Sequence, residues 1–228
     1  MITDIQEVIQ AHADVATNLV EAGLTGIEVQ MAHGHLLQQF MSPASNKRND
    51  AYGGSEANRL RFAKEALRAV REAVGPEVVV GIRVSGDEYL PEGLTIDDMC
   101  RIVPDLVAAT KVDFVNISHS AYHGSYTVST QMADMSFPVG SFSYLTQRLS
   151  AVLRDVATPP VVMTVCQYRD IADAETVLAD GWPDTEIEAQ ALAYASSHIV
   201  PDHYTEVRDR RIRAVEATLN AVHARLHA

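Results

Sequence analysis

The chain has 228 residues, 47% of them hydrophobic, and a formal net charge of −12. That is enough apolar material for one sizeable core, and the acidic balance argues against nucleic acid or an anionic membrane as a partner. Cys100 and Cys166 are the only cysteines, with no C-x-x-C spacing. Neither a disulfide framework nor a cysteine metal site is expected, and a reducing cytoplasm fits. No apolar run reaches the roughly 20 residues a membrane helix needs. The opening "MITDIQEV" has neither the basic start nor the apolar core of a signal peptide.

In chain order, residues 3–23 read as a helix. Thr3 is its candidate cap, with Gln6 three residues on; Ile5, Val8, Ile9, Val15, Leu19 and Val20 recur at roughly helical spacing, and Gly23 stops it. "GIEVQM" (26–31) is a short apolar strand. A polar stretch dense in His33, His35, Arg48, Asp50, Tyr52 and Asn58 follows, and its Arg48–Asp50–Tyr52 cluster reads as a self-bonded loop. Ser55 then caps a helix to about Val74, with Leu60, Ala63, Leu67 and Val70 on one face. "EVVVGIRVS" (77–85) is a strand of the continuous, buried type found in parallel sheets.

The next helix begins at Thr95, with Asp98 completing a capping box, and Pro104 should kink or split it. "VDFVNISHS" (112–120) is a strand, 143–157 a helix, 160–165 a strand and 171–181 a short helix. Such βαβα alternation specifies an α/β fold with a parallel sheet and crossover helices. Beyond residue 184 the alternation fails. That stretch holds no convincing apolar strand, and its last part, about 205–227, reads as a helix made locally basic by Arg208, Arg210, Arg211, Arg213 and Arg225. Residues 1–184 therefore form one unit and 185–228 a divergent, helical C-terminal segment. Four strands are too few to close a (β/α)8 barrel.

Parallel α/β folds place their chemistry at the C-terminal ends of the strands. Here those ends carry Gln30, His33 and His35; then Arg83, Ser85 and Asp87; then Ser118, His119, Tyr122 and His123; then Cys166, Gln167, Tyr168 and Arg169. Arg83 lies in a strand otherwise free of charge, so it needs an anionic or acceptor partner, either Glu28 or Asp113 within the chain or a ligand.

"AHGHLLQQFMSPASNKRNDAYGGSEANRLRF" followed by "VVVGIRVS" resembles the old yellow enzyme family of FMN-dependent NADH:flavin oxidoreductases. The resemblance spans about residues 3–184. "AYHG" and "VCQYRDIADAE" are similar to its branch of 2,4-dienoyl-CoA reductases and trimethylamine or histamine dehydrogenases. It implies a partial TIM (β/α)8 barrel of about four βα units, FMN at the strand ends, and NAD(P)H as a possible electron donor. The family's substrate-contacting pair falls on Gln30 and His33, where glutamine departs from the usual His or Tyr. The common Tyr two residues further on is His35 here. Tyr122 and His123 match the loop lining the substrate pocket. The arginine facing the flavin falls on Arg83. Gln167 and Arg169 fall in the phosphate loop, whose usual Gly or Ala and Arg are replaced by Cys166 and Gln167.

The resemblance implies hydride transfer through the flavin to or from an enoyl or N-methylated amine substrate. The family's earlier βα units have no counterpart in this sequence. Two readings therefore stay open: an oxidoreductase whose barrel is completed by another chain or a second copy, or a truncated, non-catalytic half-barrel that lacks its own flavin or acts only with a partner chain.

Overall fold

The structure is a computed structural model. It describes residues 2–122 and 140–165, together with Thr127, Thr130, Phe137, Pro138, Thr185 and Glu186. The elements are α1 (Ile2–Glu21), β1 (Gly26–Met31), α2 (Leu36–Met41), α3 (Glu56–Arg59), α4 (Arg61–Val74), β2 (Val79–Ser85), α5 (Ile96–Thr110), β3 (Phe114–Ser118), α6 (Ser143–Leu153), β4 (Val161–Thr164) and β5 (Thr185–Glu186). The strands form one parallel sheet in the order β1-β2-β3-β4-β5. The predicted α/β order is thus present, as a partial barrel. The sheet also enters the C-terminal segment expected to lack strands, because Thr185 and Glu186 pair with Met163 and Thr164. The predicted helices at 171–181 and 205–227 lie outside the described residues.

The two faces of the sheet differ in chemistry. Val29, Ile82, Val115 and Val162 share one register row, and Met31, Val84 and Ile117 another; all are buried against the helices. They join Phe62, Leu67, Val70, Ile102, Leu106, Leu145 and Leu149 in one core. Burying each such side chain contributes about 1.5–3 kcal/mol. The alternate rows, Glu28–Gly81–Phe114 and Gln30–Arg83–Asn116, face the barrel interior. Gly81 is required in the first: a Cβ there would lie 2.2 Å from the Phe114 ring.

Several local expectations change. Thr3 does not cap α1 but lies inside its first turn, and the Gln6 amide donates instead to Tyr52 Oη (2.8 Å). The buried stripe of α1 is Ile5, Ile9, Ala13 and Ala16, leaving Val15 and Leu19 exposed. Gly23, at φ +96°, does terminate the helix region. Ser55 caps α3 by accepting from Asn58 N–H, and the expected long helix is interrupted at Leu60. Pro104 does not split α5, because Val103, Leu106 and Val107 on both sides of it are held in the core. The capping box of Thr95 and Asp98 is present. The Arg48–Asp50–Tyr52 cluster is self-bonded: Asp50 takes both the Arg48 guanidinium and Tyr52 N–H, and Tyr52 Oη donates to Glu65.

Candidate active site

At the end of β1 the chain turns through two consecutive left-handed residues, His33 (φ +60°) and Gly34 (φ +74°). For histidine this conformation costs on the order of 1 kcal/mol or more and persists only when its surroundings enforce it. They do. His33 N–H donates to Ser85 Oγ (3.0 Å), and Ser85 Oγ donates to the Ser120 carbonyl (2.6 Å). The His33 ring sits with Nε2 2.7 Å from Ser118 Oγ. The tips of β1, β2 and β3 are thereby fastened together around one buried imidazole.

Burial pushes the His33 pKa down to about 4, aided by the positive charge of Arg83 and by His119 and His35. The ring is therefore neutral at pH 7, with Nε2 engaged by Ser118 and Nδ1 free of hydrogen bonds among the described residues. His119, also held below its ordinary value chiefly by burial, lies 2.8 Å from the Thr130 carbonyl through Nε2 and stacks on Phe142 at 3.9 Å.

The predicted residues His33, His35 and Tyr122 come together. Their rings meet edge-on, with centroids 6.4 Å apart for His33–His35 and His33–Tyr122, and 5.8 Å for His35–Tyr122. His35 and Tyr122 are exposed, forming a rim beside the buried His33. Gln30 accepts from Ala32 N–H through Oε1 (3.1 Å) and stands in register with Arg83. His123, Gln167 and Arg169 lie outside the described residues.

Neither intramolecular partner considered for Arg83 pairs with it. Asp113 is taken by Arg71 and by Val80 N–H, and Glu28 accepts from Asn116 Nδ2 (2.7 Å). Among the described residues, Arg83 Nε is buried with no hydrogen-bond partner, and so is Oδ1 of its register neighbour Asn116. One orphaned donor and one orphaned acceptor thus sit side by side on the interior face. Sequence reasoning missed Asn116, although it lies two residues before Ser118 and so shares its face. It also missed Gln38 and Glu88. Glu88 is a carboxylate in the loop after β2.

The strand tips of the parallel half-barrel present a neutral histidine and a guanidinium whose Nε has no partner among the described residues, groups that can contact a polar ligand at the C-terminal face. The chain belongs to the NADH:flavin oxidoreductase / NADH oxidase family, whose profile matches residues 2–184. It is similar to the N,N-dimethylglycine/sarcosine dehydrogenase of Chromohalobacter salexigens, at 37% identity over 214 residues. That match covers 94% of this chain and 30% of the relative, so it runs past residue 184. Among solved structures it resembles a 2-naphthoyl-CoA reductase complexed with 2-naphthoyl-CoA (TM-score 0.72, 25% identity, 82% of this chain and 27% of the other). It shares its fold with an old yellow enzyme homologue from Zymomonas mobilis (TM-score 0.60, 21% identity, 82% and 48%). The chain thus spans under a third of the length of that curated relative.

The family uses FMN, with NAD(P)H as electron donor. The residues present fit such a group: a half-buried guanidinium whose Nε lacks an acceptor and a register-neighbour amide oxygen lacking a donor, both among the described residues, suit a heterocycle offering both. Among the described residues no cluster of His, Cys, Asp and Glu could hold a metal ion, and no helix is long and apolar enough to cross a membrane.

Proposed function

We propose that the chain supplies the substrate-facing strand tips of an FMN-dependent oxidoreductase acting on an N-methylated amine or an enoyl compound. The single observation that carries this reading is the unpartnered Arg83 Nε beside the unpartnered Asn116 Oδ1. FMN, when bound, supplies hydride acceptance and donation. Arg83 holds a fixed positive charge where reduction adds negative charge. His33 and Gln30 bind the substrate's polar end. A neutral His33 with Nε2 on Ser118 keeps Nδ1 for that contact without repelling a cationic amine. Tyr122 and His35 form the rim; His123 as a further pocket residue and Gln167 and Arg169 as phosphate contacts complete the proposal, by the family resemblance alone. The amine is favoured because the relative matched over 94% of the chain is a dimethylglycine/sarcosine dehydrogenase.

A second reading has its own support. Among the described residues β1 pairs only with β2, and Val15 and Leu19 of the preceding helix and Leu24 just before β1 are exposed. An open strand edge and exposed apolar side chains call for cover. On this reading the half-barrel works only with a complementary half-barrel chain or a second copy. An absorbance titration of the purified chain with FMN separates the two. Flavin bands that are perturbed and survive desalting, then bleach on adding sarcosine, support the first reading. A chain that takes up no FMN alone but does so when mixed with the preceding βα units of a family member supports the second. Failure to take up FMN under either condition refutes both.

A further inference from the structure

Glu88 lies in the loop after β2 and is buried, as are Gln38 and Ser42 of the segment after β1. Its carboxylate accepts three hydrogen bonds: from Gln38 Nε2 (2.7 Å), Ser42 Oγ (2.6 Å) and Leu94 N–H (2.7 Å). Among the described residues no cation pairs with it. Gly93 is needed to let the loop close over it, since a Cβ there would lie 2.7 Å from Glu88 Oε2. Burying a carboxylate among neutral donors is a costly way to close a loop, so what those donors do next decides its purpose.

The other end of the Gln38 amide gives the answer. Gln38 Oε1 accepts from Gly34 N–H (2.8 Å), and Gln39 Nε2 donates to the Gly34 carbonyl (2.6 Å). Gly34 is the second of the two left-handed residues that aim His33. A backbone N–H can only donate, so Gln38 must present its oxygen there and its NH2 to position 88. That requires an acceptor at 88. A carboxylate, accepting at both oxygens, fixes the sense of the whole chain of hydrogen bonds.

We propose that Glu88 is a positioning residue for His33, acting through the Gln38 amide to hold the His33–Gly34 turn. Its importance for catalysis rests on the reading of His33 as a substrate contact; its action on the turn does not. Glu88→Gln tests the polarity. An amide there serves Ser42 and Leu94 with its oxygen and turns NH2 toward Gln38. Gln38 must then flip, which sets its own NH2 against Gly34 N–H. The double swap Glu88→Gln with Gln38→Glu restores the sense, because the amide at position 88 would donate to a carboxylate at position 38 that accepts from Gly34.

The readouts are backbone amide exchange and imidazole resonances by NMR on the full chain. Glu88→Gln should speed Gly34 exchange about tenfold, the scale of one lost hydrogen bond, and shift the His33 ring signals while leaving Leu94 protected. The swap should bring Gly34 back toward wild type. If Glu88→Gln does not fold, Gln38→Met, which leaves Glu88 with Ser42 and Leu94, must produce the same selective change. Unchanged Gly34 and His33 signals, equal loosening at Gly34 and Leu94, or a swap no better than the single variant would overturn the proposal. If the relay holds but His33→Ala leaves sarcosine's effect on the flavin spectrum unaltered, Glu88's positioning of the turn stands and the substrate role of His33 falls.

Discussion

Replacing Arg83 with methionine should make the flavin-free chain more stable. Methionine keeps the apolar stem that packs in the sheet and removes the guanidinium. Arg83 Nε is buried without a partner among the described residues, and a buried unsatisfied donor costs about 1–3 kcal/mol. The variant should gain about that much, and each kcal/mol should raise the melting temperature by about 2–4 °C for a chain of this size. Arg83 also depresses His33 and His119, so both histidines should titrate higher in the variant. Urea unfolding without FMN measures the gain, and equal m-values check that the compactness of the two states is unchanged. Repeating it with FMN should reverse the ranking. Wild type gains about 2.7 kcal/mol at a hundredfold excess over Kd, whereas the variant gains little. A flavin-free variant less stable than wild type by more than about 1 kcal/mol would show that the guanidinium is a structural group, and the argument for a ligand at Arg83 would fail.

His33 titrates near 4 in the folded chain and near 6.5 when unfolded. As pH falls below about 6.5 the unfolded chain takes the proton first, so His33's contribution is fully present above that value. It is lost as pH falls through about 4, on the order of 3 kcal/mol in all. A ring titration by NMR with a midpoint at 6 or higher would contradict the site's described burial. Gly81→Ala forces a Cβ into the Phe114 ring; a loss of about 1–3 kcal/mol is expected, and Phe114→Leu in the same chain should recover much of it in urea melts. Thr95→Ala removes the capping box of α5 and should cost about 1 kcal/mol, with no effect on FMN uptake.

Most of the scaffold was legible because it follows from apolar periodicity. β1 falls where "GIEVQM" places it, and the stripe Leu60, Ala63, Leu67 and Val70 is buried as its spacing requires. Errors fall where tertiary contacts override local signals. Thr3 and Gln6 have the spacing of a cap, but Tyr52, 46 residues away, claims the Gln6 amide. Val15 and Leu19 are apolar yet exposed, which no periodicity in α1 alone could reveal. The short helix α2 hid inside a motif read as loop. For the candidate site, the strand-end rule singled out His33, His35 and Tyr122, whose rings the structure brings together, and Arg83. It missed Gln38 and Glu88 because their meaning is relational: neither is distinctive until folding brings 38 and 88 together.

The interior row shows why such a sheet is not tuned for stability alone. Glu28, on β1, accepts from Asn116 Nδ2, and a carboxylate can only accept. That contact fixes the Asn116 amide so that Oδ1 points away unpaired, beside the unpaired Nε of Arg83. Each orphan costs about 1–3 kcal/mol, and valine at either position would match the apolar rows on the other face. Two independent burial penalties in register neighbours, one a donor and one an acceptor, with Glu28 enforcing the second, are difficult to explain by folding. A ligand that offers an acceptor and a donor at that spot would offset both at once, and this complementarity is what ties the sheet's geometry to its chemistry.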